Sequence, residues 1–154
     1  MRSQTRNVGP SGHRRSRGFS LVEALVALLV LSIGLLGIAG LQLTAMRNNQ
    51  AAYLRSQAVA LADDILERIR ANRGALAAYA VALGDDPPAT PSTMAETDLR
   101  TWLLTLGALL PSGDGAITVN GPANRVTVTT QWQERSAVAG EAAAAQTVTI
   151  VSQF

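Results

Sequence analysis

The first half of the chain carries an apolar run that changes into a one-sided helical pattern. From Ala24 to Leu41 no residue is charged and Ser32 is the only polar one, which is long enough for a membrane-spanning helix of about 17–25 residues. Apolar residues then recur at steps of three and four, as on one helix face: Leu54, Ala58, Leu61, Ile65 and Ile69. The pattern predicts one helix over residues 19–72, with a first half suited to lipid or a helix bundle and a second half that is amphipathic.

The second half of this helix has its own charge pattern and stop signal. Asp64 and Arg68 are four residues apart in the favourable acid-first order. Arginines crowd the last turn, where the helix dipole favours positive charge, and Gly74 is predicted to supply the C-cap.

The rest of the chain predicts a short helix and then a small sheet. Thr93 and Glu96 have the spacing of a capping box, and the helix that they open is expected to stop at Pro111. Three β-like runs follow: residues 116–120, 125–133 and 147–154. An alanine-rich loop is expected over residues 137–145. The predicted fold class is α+β, a long N-terminal helix on an antiparallel sheet, with three or four strands left open.

The net charge of +2 divides unevenly along the chain. Five of the thirteen basic residues precede Phe19, and the remainder has eight arginines and eleven acidic residues, a net charge of −3. The folded part therefore lacks the basic patch that nucleic-acid binding needs, so no nucleic-acid partner is expected. The chain has no cysteine, which excludes disulfides and thiol chemistry.

Glu23 stands close to the start of the apolar run, where an acidic residue is costly in a membrane. A cleaved secretory signal ending at residues 37–39 would have an unusually long apolar region that contains a glutamate. A plain signal anchor would simply tolerate the carboxylate near the end of the span. A third interpretation assigns the carboxylate a functional role.

The string Gly18-Phe19-Ser20-Leu21-Val22-Glu23, after an arginine-rich leader, resembles the class III signal of type IV prepilins. The resemblance implies that a prepilin peptidase cuts between Gly18 and Phe19, that Phe19 becomes N-methylated, and that Glu23 docks subunits during assembly. It divides the chain into a leader (1–18), a membrane or filament-core half-helix (19–43), an amphipathic half-helix (44–74), a connecting region with a short helix (75–111) and a sheet (112–154).

Within that family, the apolar segment after Glu23 looks most like minor pilins of the PilV type. Gly34, Gly37 and Gly40 stand where many major pilins carry a proline, so they either permit local helix melting or allow neighbouring helices to approach closely. The cysteine pair of many major pilins is missing, which fits an accessory subunit.

The resemblance implies a minor pilin that takes part in priming or tip assembly of a type IV pilus, and hence in twitching motility and adhesion. Its expected partners are prepilin peptidase, the other minor pilins, the major pilin, the inner-membrane assembly platform and membrane lipid. It would cross the inner membrane once with its globular part in the periplasm, and later reach the pilus surface. A minor pseudopilin of type II secretion and a signal-anchored periplasmic binding module are the alternatives. No catalytic residue, metal or cofactor is expected, because the paired aspartates at 63–64 and 85–86 fit a solvated helix face and a loop.

Overall fold

The computed structural model of the protein describes residues 20–134 and 142–154, and the chain divides into two units at Leu41. The helix α1, Leu21–Ala71, supplies all the regular structure described in the first unit and continues into the second. The prediction of one long helix is therefore confirmed. Residues 20–41 carry no buried side chain, whereas the second unit, residues 42–154, contains a hydrophobic core.

The second unit places one helix and one sheet beside the later part of α1. A 3₁₀ helix, Arg73–Tyr79, leads to the helix α2, Met94–Leu109. The strands β1 (Asp114–Asn120), β2 (Arg125–Glu134) and β3 (Ala144–Gln153) follow, with the 3₁₀ turn Gly121–Ala123 between the first two. Within the described residues the sheet is antiparallel with the order β1-β2-β3, which confirms the predicted α+β fold.

The core is built from the helical stripe that the sequence predicts. Ala58, Ile65 and Ile69 are fully buried, and Leu54 and Leu61 pack against them at half burial. The core is completed by residues of α2 and the inner face of the sheet, among which the largest buried side chains include Trp102, Leu106, Ile117, Val126 and Val128. The indole N–H of Trp102 donates to the Leu61 carbonyl at 3.0 Å, so the ring satisfies its polar atom while it fills the core.

The start of α2 follows the predicted capping chemistry. The hydroxyl oxygen of Thr93 accepts from the Glu96 backbone N–H at 3.2 Å, and the Glu96 carboxylate accepts from the Thr93 N–H at 3.1 Å. These two reciprocal bonds confirm the capping box. The Glu96 carboxylate also accepts from the Ser92 N–H at 2.7 Å. That bond and the bonds to Thr93 lower the pKa of Glu96, because they favour the ionised carboxylate.

Two boundary predictions are wrong. Gly74 does not cap α1, because the α-helix ends at Ala71 and Gly74 lies inside the following 3₁₀ helix without the positive φ of a glycine cap. The alanine-rich loop is also shorter at its end than predicted, since Ala144 and Ala145 pair with Glu134 and Gln133 as the start of β3. Ladder pairing with β2 has overridden the weak β-propensity of alanine. The first part of that predicted loop, residues 135–141, lies outside the described residues.

Candidate functional site

Glu23 lies in the first turn of α1 and is exposed. The helical hydrogen bonds begin with Ala24, whose N–H donates to the Ser20 carbonyl at 3.1 Å. The position of Glu23 places an acidic side chain near the positive end of the helix dipole. Gly18 and Phe19, the residues on either side of the predicted cleavage point, lie outside the described residues. Among the described residues, no salt bridge involves the Glu23 carboxylate.

The helix around Glu23 exposes apolar side chains on every side. All thirteen large apolar side chains from Leu21 to Leu41 are more than half exposed. At 1.5 Å per residue this segment is about 31 Å long, close to the roughly 30 Å thickness of a bilayer's hydrocarbon core. A helix that is apolar all round belongs in lipid or among other helices. By length and composition α1 can cross a membrane.

The polar atoms of this segment suit a medium without water. The hydroxyl of Ser32, the only polar side chain between Ala24 and Leu41, donates to the Leu28 carbonyl one turn earlier at 2.6 Å. Such a bond satisfies the hydroxyl inside its own helix. From Ala24 onward the backbone N–H groups of the helix likewise donate along the helix, as a lipid environment requires. Glu23 is thus the group in residues 21–41 that still needs a partner of opposite charge.

Gly34, Gly37 and Gly40 leave open space on the helix. Apart from its chain neighbours and its own helix backbone, a Cβ added at any of the three would meet no heavy atom within 4 Å. None of the three glycines is therefore required for packing against the described residues. The α-helix also runs through all three positions without a break. Successive steps of three residues place them within about one third of the circumference, since a helix has 3.6 residues per turn. Close packing at these glycines would therefore involve another molecule, and both predicted roles remain predictions.

A buried polar cluster in the second unit was predicted from the sequence only at its Asp64–Arg68 pair, which the structure confirms. Asp98 is 7% exposed and Tyr79 is fully buried. The Tyr79 hydroxyl donates to Asp98 Oδ2 at 2.7 Å and accepts from Asn72 Nδ2 at 3.1 Å. Arg68 donates through Nη1 to Asp98 Oδ1 at 3.2 Å and through Nε to Asp64 Oδ2 at 2.9 Å. This cluster, Asp64, Arg68, Asn72, Tyr79 and Asp98, joins the end of α1 to the 3₁₀ helix and α2.

The electrostatics of the cluster indicate a structural role, as a clamp that holds the end of α1, the 3₁₀ helix and α2 together. Burial is the main reason why the pKa of Tyr79 is raised, so the phenol stays neutral and its O–H donates a hydrogen bond to Asp98. The hydrogen bond to Asp64 is the main reason why the pKa of Arg68 is raised. One feature of the sequence could have indicated this cluster. Asp98 lies on the apolar stripe of α2, three residues after Ala95 and four before Trp102. A polar residue at a core position of a helix indicates a buried hydrogen-bond partner.

A shallow groove lies beside the second unit's part of α1. It has a volume of about 840 Å³, is open to solvent, and is lined by Leu43, Met46, Leu54, Pro111 and Gln133 among others. In the described part of the chain no three His, Cys, Asp or Glu side chains come together as a metal site would require. The expectation that the chain lacks metal, cofactor and catalytic residues remains a prediction.

Two family models match adjoining parts of the chain. Residues 13–39 match the prokaryotic N-terminal methylation motif, which covers the leader end, Glu23 and most of the apolar helix segment. Residues 40–99 match the family described as type IV pilin Tt1218. No curated protein and no solved structure matches the chain. Between them the family matches run from the leader through α1 to the first turn and a half of α2.

The chain belongs to the type IV pilins. This family is structural rather than enzymatic. The methylation motif implies that the pilin is processed by prepilin peptidase and assembles with other pilins. The one long apolar helix found within residues 20–134 and 142–154 fits a single-pass membrane anchor. The finer likeness to PilV-type minor pilins is not confirmed by either match.

Proposed function

We propose that this pilin is a minor subunit of a type IV pilus that acts in the priming or tip complex. In this proposal the leader is cut after Gly18 and Phe19 becomes the N-methylated first residue. The resemblance of the apolar segment to PilV-type minor pilins supports the minor role. So does the absence of cysteine from the sequence, because many major pilins carry a C-terminal cysteine pair.

The observation that carries the proposal is the single carboxylate at the start of an exposed apolar helix. Glu23 follows Phe19 by four residues in the sequence. Cleavage would create an α-ammonium at Phe19, and such a group has a reference pKa of about 7.7–8.0, so it is largely charged near neutrality. Glu23 of one subunit would pair with the ammonium of its neighbour. Both charges would otherwise be unpaired in an apolar surrounding, which is expensive.

This pairing would also fix how far one subunit is displaced along the next. An apolar helix surface can slide against another with little change in energy, since it makes no directional bonds. A charge pair at one level of the bundle removes that freedom, because any other axial position leaves both charges without a partner. The pilin would lie in the inner membrane with its globular part in the periplasm before assembly, and would reach the pilus surface afterwards.

Sequencing the N-terminus of the membrane-bound protein tests the processing step. A mature chain that begins at N-methylated Phe19 is expected, and a chain that begins at Met1 would contradict the proposal. That second result would favour a signal-anchored periplasmic module. A Gly18→Val variant should accumulate as an uncut precursor on a denaturing gel, because a small residue at this position lets the backbone enter the protease closely.

Deletion of the gene separates the pilus from the pseudopilus. The processing signal is shared by both systems, so the alternative is a minor pseudopilin of type II secretion. Loss of surface pili and of twitching with normal protein secretion is expected for a minor pilin. Loss of exoprotein secretion with normal piliation would assign the chain to the secretion system instead.

A further inference from the structure

The two outer edges of the sheet differ in how they are protected. On the β1 edge, Ile117 exchanges two backbone hydrogen bonds with Val81, at 2.8 and 3.1 Å. On the β3 edge, no backbone partner lies beside the strand within residues 20–134 and 142–154. An unpaired row of N–H and C=O groups is a template for another strand. The β3 edge is therefore the side of the sheet that is open to a partner.

The register shows which β3 residues offer their backbone groups outward. The Phe154 N–H donates to the Asn124 carbonyl opposite it at 2.9 Å. In an antiparallel pair, hydrogen-bonded and non-hydrogen-bonded positions alternate. Because Arg125 lies opposite Gln153 in the next position, the even-numbered β3 residues face β2 and the odd-numbered ones face the open edge. The outward set is Ala145, Thr147, Thr149, Val151 and Gln153, and all five residues are exposed.

The β3 strand lacks the features that usually protect an open edge. Natural edges are shortened, charged, bulged or interrupted by proline. The β3 strand is ten residues long, without a charged residue or a proline, and its register with β2 runs through ten pairs without a bulge. Its threonine and valine residues favour extended backbone. Val151, the fourth of the five outward residues, is 58% exposed.

We propose that the β3 edge accepts an extended, uncharged segment of a neighbouring pilin, which adds a fourth strand to the sheet. Main-chain hydrogen bonds would supply the affinity of this contact, as in other cases of strand addition. The segment would need about nine residues to reach from Ala145 to Gln153, because two paired strands both advance by about 3.3 Å per residue. Its residues would be uncharged, since β3, the strand with which it would pair, carries no charged side chain.

The partner follows from the way in which pilins assemble, so this inference rests on the proposed function. A second copy would pair β3 with β3 about a two-fold axis, and that isologous contact closes into a dimer. Because the β1 edge is occupied by Val81, such a dimer could not extend through the sheet. Filaments grow by heterologous contacts between different surfaces. The methylation motif implies assembly with other pilins, which makes a different segment of a neighbouring pilin the occupant.

Amide hydrogen exchange tests the backbone contact directly. The full-length processed chain is measured alone in detergent and in the complex that its affinity tag co-purifies with the other pilins of its own system. In the complex, the amides of Thr147, Thr149 and Val151 should exchange at least about tenfold more slowly, because each gains a hydrogen bond. The amides of Val148 and Ile150 should be protected in both samples. Outward amides that exchange equally fast in both samples, or a chain that retains no other pilin, would overturn the proposal.

A matched set of variants separates the edge from the face of the sheet. Thr149→Pro removes one outward N–H but no backbone bond to β2, a position at which proline is tolerated in an edge strand. It also removes the exposed hydroxyl contact with Thr129 at 3.4 Å, which the Thr129 variant below removes as well. Thr129→Lys alters the same exposed face on the central strand, since Thr129 lies opposite Thr149. We expect Thr149→Pro to lose incorporation into the complex with an unchanged unfolding midpoint, and Thr129→Lys to retain incorporation. Normal incorporation of Thr149→Pro, or equal loss in both variants, would refute an edge contact.

Two further readouts identify the source of any failure. The chain has no native cysteine, so a disulfide-linked dimer of Thr149→Cys would reveal two β3 strands side by side. That result would replace the neighbouring pilin by a second copy and overturn the proposal. Thr149→Pro should still begin at methylated Phe19. A failure of processing would affect the proposed function, whereas a failure of protection at β3 would affect this inference alone.

Discussion

The buried pair formed by the Tyr79 hydroxyl and the Asp98 carboxylate should show strong energetic coupling. Asp98→Ala leaves the Tyr79 hydroxyl, which is fully buried, without an acceptor for its proton. An unsatisfied buried donor costs about 1–3 kcal/mol. Arg68 loses less, because its side chain is 38% exposed and keeps the bond to Asp64, and such exposed pairs contribute about 0–1 kcal/mol. We therefore expect Asp98→Ala to lower the free energy of unfolding by about 2–3 kcal/mol.

The partner variant should cost less than Asp98→Ala. Tyr79→Phe removes the hydroxyl but leaves Asp98 bonded to Arg68 at 3.2 Å, so a loss of about 1 kcal/mol is expected, the net value of one hydrogen bond. In the double variant no unsatisfied hydroxyl remains. The double variant should therefore be more stable than the two single losses predict, by about 1–2 kcal/mol.

Denaturant unfolding of the full-length chain in detergent measures these values. The fluorescence of Trp102 and Trp132 reports on the correct part of the molecule, because both rings are buried in the core that contains Tyr79. Single variants whose losses add within about 0.5 kcal/mol in the double variant would show that the two groups are not coupled. Such additivity would refute the description of the cluster as a clamp.

The pH dependence gives a second check on the same pair. Because the pKa of Tyr79 is raised above its ordinary value of 10.0 in the folded chain, its contribution to stability is complete below pH 10. The contribution is lost as the pH rises through 10 toward the folded-state pKa, since the unfolded phenol ionises first. The wild-type chain should lose stability in this alkaline range, and Tyr79→Phe should lose less. Parallel curves for the two chains would contradict this assignment.

Three other predictions follow from the structure. Gly115→Ala should destabilise the second unit by about 1–3 kcal/mol in the same unfolding assay, because its Cβ would overlap the Trp102 ring; Gly121→Ala, which meets nothing within 4 Å, is the matched control and should change little. The pKa of Glu96 is lowered below 4.5, so its stabilising effect is present above that pH and lost as the pH falls below it; Glu96→Gln should abolish this part of the acid dependence in thermal melts. Glu23→Ala should be cut normally but co-purify poorly with other pilins, and normal co-purification would exclude the docking role.

Much of the fold could be predicted because its strongest signals are local. A continuous apolar run followed by a helical stripe specifies α1, and the Thr93–Glu96 spacing specifies the start of α2 without reference to other elements. The end of α1 could not be predicted in the same way. The sequence offers Gly74 as a cap, but the chain continues into a 3₁₀ helix in which the Asn72 side chain donates to the Tyr79 hydroxyl. That bond depends on where Tyr79 lies in the folded core.

The functional residues likewise divide into those with a local sequence signal and those that depend on the folded structure. Glu23 could be recognised because a charge in an apolar run is conspicuous in the sequence itself. The cluster around Asp98 was missed, because its members come from three elements and the sequence separates Arg68 from Asp98 by 30 residues. The open edge was missed for a similar reason. Only the strand order shows that β3 lies at the border of the sheet and that Val81 covers the opposite border.

Within the described residues, the two units leave different groups without a partner. Those groups argue for a subunit of an assembly rather than an independent protein. The second unit buries its own core, and its charged side chain Asp98 is compensated by Arg68 and Tyr79. What it leaves without a protein partner within the described residues is a row of backbone groups on β3. The described part of the first unit leaves an apolar surface and the Glu23 carboxylate exposed. Lipid could cover the apolar surface, but lipid tails offer no cation for a carboxylate. A neighbouring strand could replace water at the β3 edge, and assembly with other pilins would supply both partners together.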